Sequence, residues 1–600
     1  MMPVMKKMKQ DTSEDRHNTI SRYDRQIRIW NSSGQQCLEN SNVLVLGANT
    51  ISSEAIKNLV LSGIGSYTLV DSKIVSKKDI EGNFFVCNKD LGRPLSKTLV
   101  ENLNELNPHV RGASIIQSVD EFVLKELNFS ECNLVICCNQ NTEVIQKVNA
   151  VCWDLSIPVI VCSANGFFGS MKYYAAQHCI VEGHIEQIED MRIDEPFEEL
   201  TNYVDSISLD SLNSIEKAHV PYVVLMIKKL KEYKNLEGIE ALDSFQEKKS
   251  FKSFLETSTS WSDEENYLEM ISNAIRLSSK YSIPSHIQSI FCHSCLSNLP
   301  QDFCDIPVKN LKFWIIVKAI KEFVSSEVYG NGKLPLIGTI PDMKADTKRY
   351  IELQEIYKKK AKHHIDIIYQ ITQKILADIK CFNVYFNMKI PREEIKIFCK
   401  NSNQLKVIEL SRPKYTSLPI YRAKIHDLYC LDPKKLDSSI FESLNHINPI
   451  YNFDDFQSPE ILFIVLEAVV LFKECIGYYP GQDCTIRDGF KDKDMLNIIC
   501  YLICENWRNL YFSSNQTRSS NDSESADQNY LKNTADNFLA ETLRSRGAQL
   551  HSIAAIMGGV VSQEAIKLIT RHYVTIDLPA VFDGITSKFH LINPKRLNYD

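Results

Sequence analysis

Apolar and polar residues alternate along residues 20 to about 170 in a way that predicts both strands and helices. Short runs of β-branched and apolar residues, bounded by turn-forming residues, predict strands. Between them, apolar residues recur every three or four positions, which predicts helices that bury one face. This alternation indicates an α/β fold with a mostly parallel, doubly wound sheet. The predicted strands are 42–47, 66–71, 133–138 and 157–163.

From about 180 to 510 the pattern changes to long amphipathic helices. The clearest stretch is 347–379, where apolar residues lie three, four or seven positions apart and form one face. Residues 313–324, FWIIVKAIKEFV, predict a second, buried helix. The charged stretch 246–268 predicts a loop between helices. This region therefore predicts a mainly helical insertion.

The end of the chain returns to the α/β pattern. HSIAAIMGGVVSQEAIKLI predicts a helix rich in small residues, and VTIDLPAVFDG and KFHLI predict strands. We therefore expect one α/β domain that a large helical unit interrupts. The predicted segments are a disordered N-terminal tail (1–15), the first part of the α/β domain (16–180), the helical insertion (181–512), a low-complexity polar loop (513–530) and the C-terminal part of the α/β domain (540–600).

Composition and charge narrow the class of protein. The chain has 600 residues, of which 44% are hydrophobic, and a formal net charge of −7. A dedicated nucleic-acid binder needs a positive field, so we expect no nucleic-acid partner. Many of the 18 cysteines lie in apolar runs, which is typical of reduced thiols. The start lacks the apolar core of a secretory signal, and no uninterrupted apolar run is long enough to span a membrane. We expect an intracellular protein without a membrane partner.

The first candidate site is the turn after the first predicted strand. A dinucleotide-binding loop needs three glycines, for the tight turn, for the approach of phosphate and for helix packing. Here Gly47 is present, but Asn49 and Ser52 stand at the other two places. Asp71, which closes the second strand, would suit a ribose hydroxyl in an intact site and is otherwise a helix cap or a surface carboxylate. The residues favour a structural turn over a phosphate site.

The second candidate is the segment RYDRQIRIW, residues 22–30. In one interpretation, Ile27 and Trp30 pack on the sheet while the arginines are solvated. In the other, Arg25 or Arg28 meets a phosphate, because a guanidinium offers a fixed fork of donors that matches phosphate oxygens. The spacing alone favours the first interpretation.

A third candidate is a half-site for zinc. The stretch FCHSC provides Cys292 and Cys295, with Cys304 and His286 as possible further ligands. Structural zinc sites usually pair two such doublets, and this stretch supplies one. The pattern therefore leaves metal binding open and does not favour it.

Three further residues carry no predicted chemistry. Cys484, in PGQDCT, would need an activating base or a helix terminus to act as a nucleophile, and no adjacent residue provides one. His363 and His364 are neighbours on a predicted helix and point in different directions, so we expect them at the surface.

Together, these stretches resemble one family over most of the chain. The chain resembles the activating enzymes of ubiquitin-like modifiers, which have a Rossmann-like, ThiF-type adenylation fold. Within them it is most similar to the non-catalytic half of the heterodimeric neddylation-activating enzyme, of the amyloid-precursor-protein-binding protein type. The stretches that carry the resemblance are RYDRQIRIW, LSGIGSYTLVDSKIV, GNFFVCNKDLGRPLSK, HVPYVV, FWIIVKAIKEFV, LPLIGTIPDMKADTKRYIELQEIY and HSIAAIMGGVVSQEAIKLIT.

The family's catalytic pattern departs at several positions of this chain. An active half has an Asn-x-x-Arg-Gln run, where this chain keeps Asn83 without the arginine. It has a lysine after a Gly-Arg-Pro turn, where this chain has Leu95, with Lys97 only nearby. It has a magnesium-binding aspartate where this chain has Asn139 and Gln140, and neutral amides are poor ligands for Mg²⁺. The resemblance therefore implies a pseudoenzyme that binds no cofactor of its own.

The family's thioester-forming cysteine lies in a Pro-x-Cys-Thr motif. In this chain Pro480 lies four residues before Cys484 instead of two, so the role does not transfer. One role does transfer, because the resemblance implies that Arg25 acts in trans on the ATP site of a catalytic partner.

The resemblance also implies the partners. The catalytic subunit would bind ATP and Mg²⁺, adenylate the modifier and form a cysteine thioester, and the modifier and, indirectly, a conjugating enzyme would contact the complex. Segments 16–180 and 540–600 would form the pseudo-adenylation domain, and 181–512 would resemble half of the catalytic-cysteine domain. The expected localisation is cytoplasmic and nuclear. The expected partner-contact residues are Gly338, Pro341, Asp342 and Tyr350.

Four other classes share part of this pattern. A sumoylation-type regulatory subunit would lack the long helical insertion. A self-sufficient activating enzyme would need the missing glycines, lysine, aspartate and cysteine motif. A nicotinamide-dependent oxidoreductase would rest on the strand, turn and helix alone, and bacterial sulfur-carrier adenylyltransferases are shorter.

Overall fold

The structure is a computed structural model, and it divides into two compact units. The α/β unit comprises Met1–His178 and Ile408–Asp600, and the helical unit comprises Cys179–Val407. The residues that the structure describes are 13–125, 129–184, 190–242, 244–257, 264–277, 282–299, 308–382, 388–410, 412, 458–482, 492–511 and 524–592.

Helices and strands alternate in the α/β unit, as the sequence predicts. Its first helices are α1 (Ser13–Glu39), α2 (Thr50–Ser62), α3 (Lys77–Gly82), α4 (Leu95–Asn104), α5 (Val119–Lys125) and α6 (Thr142–Asp154). Its strands are β1 (Asn42–Leu46), β2 (Ser66–Val70), β3 (Arg111–Ile115), β4 (Leu134–Cys138), β5 (Val159–Asn165) and β6 (Phe168–Tyr174), with β9 (Ala580–Asp583) and β10 (Lys588–Leu591) from the end of the chain. Two further strands, β7 (Gln177–Ile180) and β8 (Lys406–Glu409), form a separate two-stranded sheet.

The helical unit consists of ten described helices. They are α7 (Glu198–Ser206), α8 (Ser214–Lys217), α9 (Tyr222–Glu237), α10 (Phe245–Thr257), α11 (Glu265–Leu277), α12 (Ser285–Phe291), α13 (Ser294–Asn298), α14 (Val308–Ser325), α15 (Thr347–Phe382) and α16 (Arg392–Lys400). Four more helices belong to the α/β unit: α17 (Ser458–Ile476), α18 (Asp492–Tyr511), α19 (Glu524–Ser545) and α20 (His551–Thr570).

The main sheet has eight strands in the order β10-β9-β6-β5-β4-β1-β2-β3. The strands β5, β4, β1, β2 and β3 are parallel, and β6, β9 and β10 continue the sheet in antiparallel fashion. From β1 the chain continues to β2 and β3 on one side, and from β4 it continues to β5 on the other side. The strand order therefore reverses between β1 and β4. In open α/β sheets this reversal leaves a crevice at the carboxyl ends of the strands, where ligands bind. The expected fold class is confirmed.

Helices cover both faces of the parallel strands, which explains their continuous apolar sequences. One face packs against α2, α4 and α20, and the other against α5 and α6. Helix α20 is long and apolar enough to span a membrane, although the sequence predicted no such segment. In the structure it is a core helix, and its Gly558 lies close enough to α2 that a Cβ there would come within 2.7 Å of the Glu54 side chain.

The domain boundaries differ from the predicted ones. The predicted insertion continues to residue 512, whereas the helical unit ends at Val407. The reason is that α17 packs on β6 and β9, and α18 and α19 pack with it around a separate core that includes Phe168 and Val581. The predicted loop 513–530 is also too long, because α19 begins at Glu524. Helical periodicity indicated helices up to about residue 510, but it did not show to which unit the last of them belong.

The helical unit confirms the two strongest helix predictions. The stretch 313–324 lies within α14, and 347–379 lies within α15. The predicted loop at 246–268 is wrong for most of its length, because α10 and α11 occupy 245–257 and 265–277. These charged helices bury a narrow apolar face, including Phe251 and Tyr267. The expectation for His364 is also wrong, since this side chain is buried.

One buried histidine makes the stability of the α/β unit depend on pH. His178 is buried, and its Nε2 has no hydrogen-bond partner among the residues that the structure describes. Burial, followed by the nearby Arg571 guanidinium, lowers the pKa of His178 to about 3. In the unfolded chain a histidine has a pKa of about 6.5. As the pH falls below about 6.5, the unfolded chain therefore binds a proton that the folded chain does not, and stability decreases.

We expect His178→Gln to flatten this dependence. The free energy of unfolding should fall less steeply from pH 6.5 towards the folded pKa, by up to about 1.4 kcal/mol per pH unit, since one proton no longer binds. Urea titrations of both proteins across this range measure the slope. An unchanged slope would mean that His178 is already protonated in the folded protein.

Candidate functional site

The first part of the site is the amino-terminal helix, which is fixed to the α/β unit by side chains on either side of its exposed face. Tyr23 is buried, and its hydroxyl accepts a hydrogen bond of 2.8 Å from Asn107 Nδ2. The ring lies so close to Gly63 that a Cβ there would approach it within 2.5 Å. Arg22 donates from Nη2 to the carbonyl of Leu106 at 2.9 Å. These contacts hold the backbone of the segment in one place.

Arg25 lies on the exposed side of this anchored segment. Among the described residues its guanidinium has no hydrogen bond or ion pair, whereas Arg28 pairs with Asp24 at 2.8 Å. Trp30 is buried in the core of the α/β unit and donates from Nε1 to Gln35 at 3.1 Å, whereas Ile27 is only half-buried. Arg25 therefore presents an exposed positive charge from a backbone segment that the contacts of Tyr23 and Arg22 hold in place.

The turn after β1 keeps its glycine for a structural reason. Gly47 has φ of +98°, which favours glycine, and its backbone approaches the end of β4 closely. A Cβ at this position would lie 2.2 Å from Nε2 of Gln140 and 2.6 Å from the carbonyl oxygen of Cys138. Gln140 itself donates to that carbonyl at 2.9 Å. The Gln140 side chain therefore fills the space beside the turn.

The amino terminus of α2 is capped by the chain's own side chains. Helix amino termini bind phosphate through backbone N–H groups that have no partner within the helix. Here the N–H of Ser52 donates to Asn49 Oδ1 at 3.1 Å, and the N–H of Asn49 donates to Ser52 Oγ at 2.9 Å. The N–H of Thr50 donates to Gln549 Oε1 at 3.1 Å. The residues that replace the two glycines therefore occupy donors that a phosphate would need.

The Asp71 carboxylate also accepts hydrogen bonds from backbone N–H groups. Its Oδ2 accepts from the N–H of Ala48 at 2.7 Å, and its Oδ1 accepts from the N–H of Lys73 at 2.8 Å. The carboxylate is buried, and it connects the turn after β1 to the end of β2. Both oxygens therefore bind backbone N–H groups outside the helices, so this buried carboxylate is neither a helix cap nor a surface group.

The other departures from the active pattern are built into the core. Asn83 is buried, and its Oδ1 accepts from Ser53 Oγ at 3.2 Å and from the N–H of Phe85 at 3.0 Å. Leu95 is fully buried in the core under the sheet, while Lys97 is exposed. Asn139 accepts from the N–H of Ala164 at 3.1 Å and so joins the ends of β4 and β5.

The sequence did not predict that α17 closes the crevice. Among the described residues, Gln140, Lys473 and Tyr479 line a cavity of about 20 Å³ at the ends of β4 and β5. Lys473 Nζ lies 4.9 Å from the centre of the Tyr479 ring, and burial lowers the pKa of this lysine. The neighbouring Glu474 accepts from the backbone N–H of Thr142 at the start of α6. A cavity of this size holds about one water molecule.

The predicted partner-contact segment lies in the helical unit. Asp342 is exposed, Pro341 and Tyr350 are half-buried, and Gly338 is buried. Gly338 has φ of +80°, and a Cβ there would come within 2.7 Å of Ala361 on α15, so its glycine has a local packing reason. The role of these four residues in partner contact stays a prediction.

The remaining candidates are not brought together. Among the described residues, Cys292 and Cys295 belong to no group of three potential metal ligands. Cys304 and Cys484 lie outside the described residues.

Comparison with known proteins gives the class first. The model of the ThiF family matches residues 23–599. This span includes both segments of the sheet, the capped turn and the intervening helical unit, so the chain belongs to the ThiF family.

Full-length relatives then give the particular type. The chain is 30% identical to the NEDD8-activating enzyme E1 regulatory subunit of Gallus gallus, over 94% of this chain and 96% of the relative. It is 29% identical to the protein of the same name from Xenopus laevis, over 95% and 97%. It is also 29% identical to the NEDD8-activating enzyme E1 regulatory subunit AXR1 of Arabidopsis thaliana, over 95% and 96%. The resemblance carried by the sequence motifs is thereby confirmed along almost the whole chain.

Proposed function

We propose that this chain is the regulatory subunit of a heterodimeric enzyme that activates a NEDD8-type modifier. Its full-length similarity to subunits of that name supports the assignment. The observation that carries the proposal is the combination of a filled nucleotide crevice with an anchored, available arginine. The chain would pair with a catalytic subunit that adenylates the carboxyl terminus of the modifier and then forms the thioester.

In this proposal the chain itself binds neither ATP nor Mg²⁺. The donors at the start of α2 already serve Asn49, Ser52 and Gln549, and Gln140 fills the space beside Gly47. A triphosphate at the start of α2 would have to displace these contacts. In addition, Leu95 supplies a core methyl group where the active family has a lysine. These residues do not fit the nucleotide, so its chemistry would belong to the other subunit.

Arg25 would supply charge to the partner's ATP site. During adenylate formation negative charge redistributes over the phosphates, and a positioned guanidinium stabilises it. The anchors at Tyr23 and Arg22 fix the backbone of α1, so little conformational freedom is lost when Arg25 engages the phosphates. An exposed guanidinium without an internal partner meets the requirement for action in trans.

Reconstitution tests this assignment. We expect the purified chain, incubated with ATP, Mg²⁺ and a NEDD8-type modifier, to form no modifier thioester. Adding the catalytic subunit should restore the thioester, and the linkage should be on that subunit when analysed on a non-reducing gel. A catalytic subunit that forms the thioester at the same rate with and without this chain would contradict the proposal.

A further inference from the structure

A second cavity lies within the helical unit, and nothing in the proposed function uses it. Its volume is about 170 Å³, and it is bounded by the segment before α7, the loop after α14 and the middle of α15. An apolar cavity of about 150 Å³ is large enough to hold a benzene ring. This cavity can therefore accept a group the size of one amino-acid side chain.

One wall of the cavity is apolar. Phe197, Phe323 and Leu336 contribute to it, with Tyr329 at the loop after α14. Phe323 packs on the His364 ring with the ring centres 5.1 Å apart. Binding sites for small ligands are commonly apolar with a few convergent polar groups, and this wall provides the apolar part.

The polar wall contains a buried histidine, His364, whose ring N–H can donate a hydrogen bond to a ligand. His364 is 5% exposed, and its Nδ1 accepts from the N–H of Leu336 at 3.2 Å. Burial, and then the charges of Arg192, Lys360 and His363, lowers the pKa of His364 to about 3, so the ring is neutral at physiological pH. A neutral imidazole that accepts at Nδ1 carries its proton on Nε2. Among the described residues this Nε2–H has no hydrogen-bond partner.

Three cations surround this donor, and their carboxylate partners differ in exposure. Arg192 pairs with Asp190 at 2.7 Å, and that carboxylate is 22% exposed. Lys333 pairs with Glu195 at 2.8 Å and lies 3.8 Å from Asp194, and these carboxylates are 63% and 14% exposed. Lys360 lies 3.5 Å from Glu199, which is 54% exposed.

In two of these ion pairs, the carboxylate partner is exposed and can be exchanged for the carboxylate of a ligand. Glu195 and Glu199 are the exposed members of their pairs, so each can turn into solvent and leave its lysine to another anion. The two less exposed carboxylates, of Asp190 and Asp194, leave the three cations with one unit of positive charge to spare when both exposed glutamates turn away. Lys360 also lies 5.4 Å from the centre of the Phe197 ring, so charge and apolar surface meet at one point.

We propose that this cavity binds a carboxylate attached to a large apolar side chain. The apolar group would fill the space against Phe197 and Phe323, and the carboxylate would accept hydrogen bonds from His364 Nε2 and from Lys360 or Lys333. Such a ligand is a peptide, either through its free carboxyl terminus or through an acidic residue next to an apolar one. Charge-assisted bonds to a carboxylate would give the site its selectivity.

Small-molecule probes test separately whether the carboxylate and the apolar group of this ligand are both needed for binding. We expect N-acetyl-phenylalanine or N-acetyl-Phe-Asp-amide to bind the full-length chain in ligand-observed NMR titrations, and the better of the two identifies whether the carboxyl terminus or an internal acidic residue is recognised. N-acetyl-phenylalaninamide lacks the carboxylate and acetate lacks the ring, so both should bind much more weakly. Equal binding of the amide, or equal binding of acetate, would overturn the proposal.

Three substitutions locate the binding. Glu195→Gln removes the competing carboxylate at an exposed position and should tighten binding by about three- to fivefold, the range that an exposed ion pair supports. Lys360→Met should weaken binding by roughly tenfold, because a charge-assisted hydrogen bond is lost. Lys362→Met, which removes an exposed lysine of α15 that does not line the cavity, is the control and should leave the affinity unchanged. Unchanged affinity in both Glu195→Gln and Lys360→Met would place the probe elsewhere and contradict the proposal.

Discussion

Arg25→Ala should slow adenylation of the modifier by the reconstituted heterodimer by a factor on the order of 10³, the lower range for an arginine supplied in trans to a phosphate-transfer site. The physical reason is that the exposed guanidinium makes no hydrogen bond or ion pair with the described part of this chain, so its loss should remove charge only from the partner's ATP site. Single-turnover formation of the adenylate measures the effect, because it isolates the chemical step from thioester transfer.

Arg28→Ala provides the matched control. Arg28 is on the same helix and also exposed, but it pairs with Asp24, and an exposed pair of this kind is worth at most about 1 kcal/mol. We expect an almost unchanged rate, and size-exclusion chromatography should show an intact heterodimer for both variants. Equal rates for Arg25→Ala and the unsubstituted complex would return Arg25 to the solvated-arginine interpretation.

Leu95→Ala should lower the free energy of unfolding by about 2–5 kcal/mol, the usual cost of truncating a buried leucine. Leu95 is fully buried beneath the sheet, at the place where the active family has a lysine. If this position is now structural, truncation removes apolar contacts and leaves a cavity. Urea unfolding of the isolated chain measures the loss.

Lys97→Ala is the control for this position. The side chain is exposed, and surface substitutions usually change stability by less than about 0.5 kcal/mol. A loss of less than about 1 kcal/mol for Leu95→Ala would show that the leucine is not part of a tightly packed core. That result would weaken the view that the former nucleotide position has become scaffold.

The sequence predicted the parallel strands well for a physical reason. Strands β1, β4 and β5 are covered by helices on both faces, so their sequences are continuous apolar runs. Strand β3 escaped prediction because it lies at the edge of the sheet, and its residues 111–115 are only partly buried. Asn49 and Ser52 stand where a dinucleotide-binding loop has glycines, and they form a capping box at the start of α2.

The residues that fill the crevice could not be predicted from the sequence. Gln549 caps Thr50 from 499 positions away. Lys473 lies on α17 and Tyr479 follows its end, in a region that the sequence assigned to the insertion. Their own sequence neighbourhoods carry no motif for this role, since an apolar helix followed by a glycine turn has many possible partners. Only the packing of α17 on β6 and β9 brings them to the carboxyl ends of the strands.

The stoichiometry of MgATP binding tests most directly whether this chain binds a nucleotide of its own. Equilibrium titration of the isolated chain, the catalytic subunit and the heterodimer compares the two nucleotide positions under one condition. The account predicts no saturable binding by the isolated chain and one ATP per heterodimer. Saturable binding by this chain alone, or two ATP molecules per heterodimer, would contradict the claim that its own side chains fill the crevice.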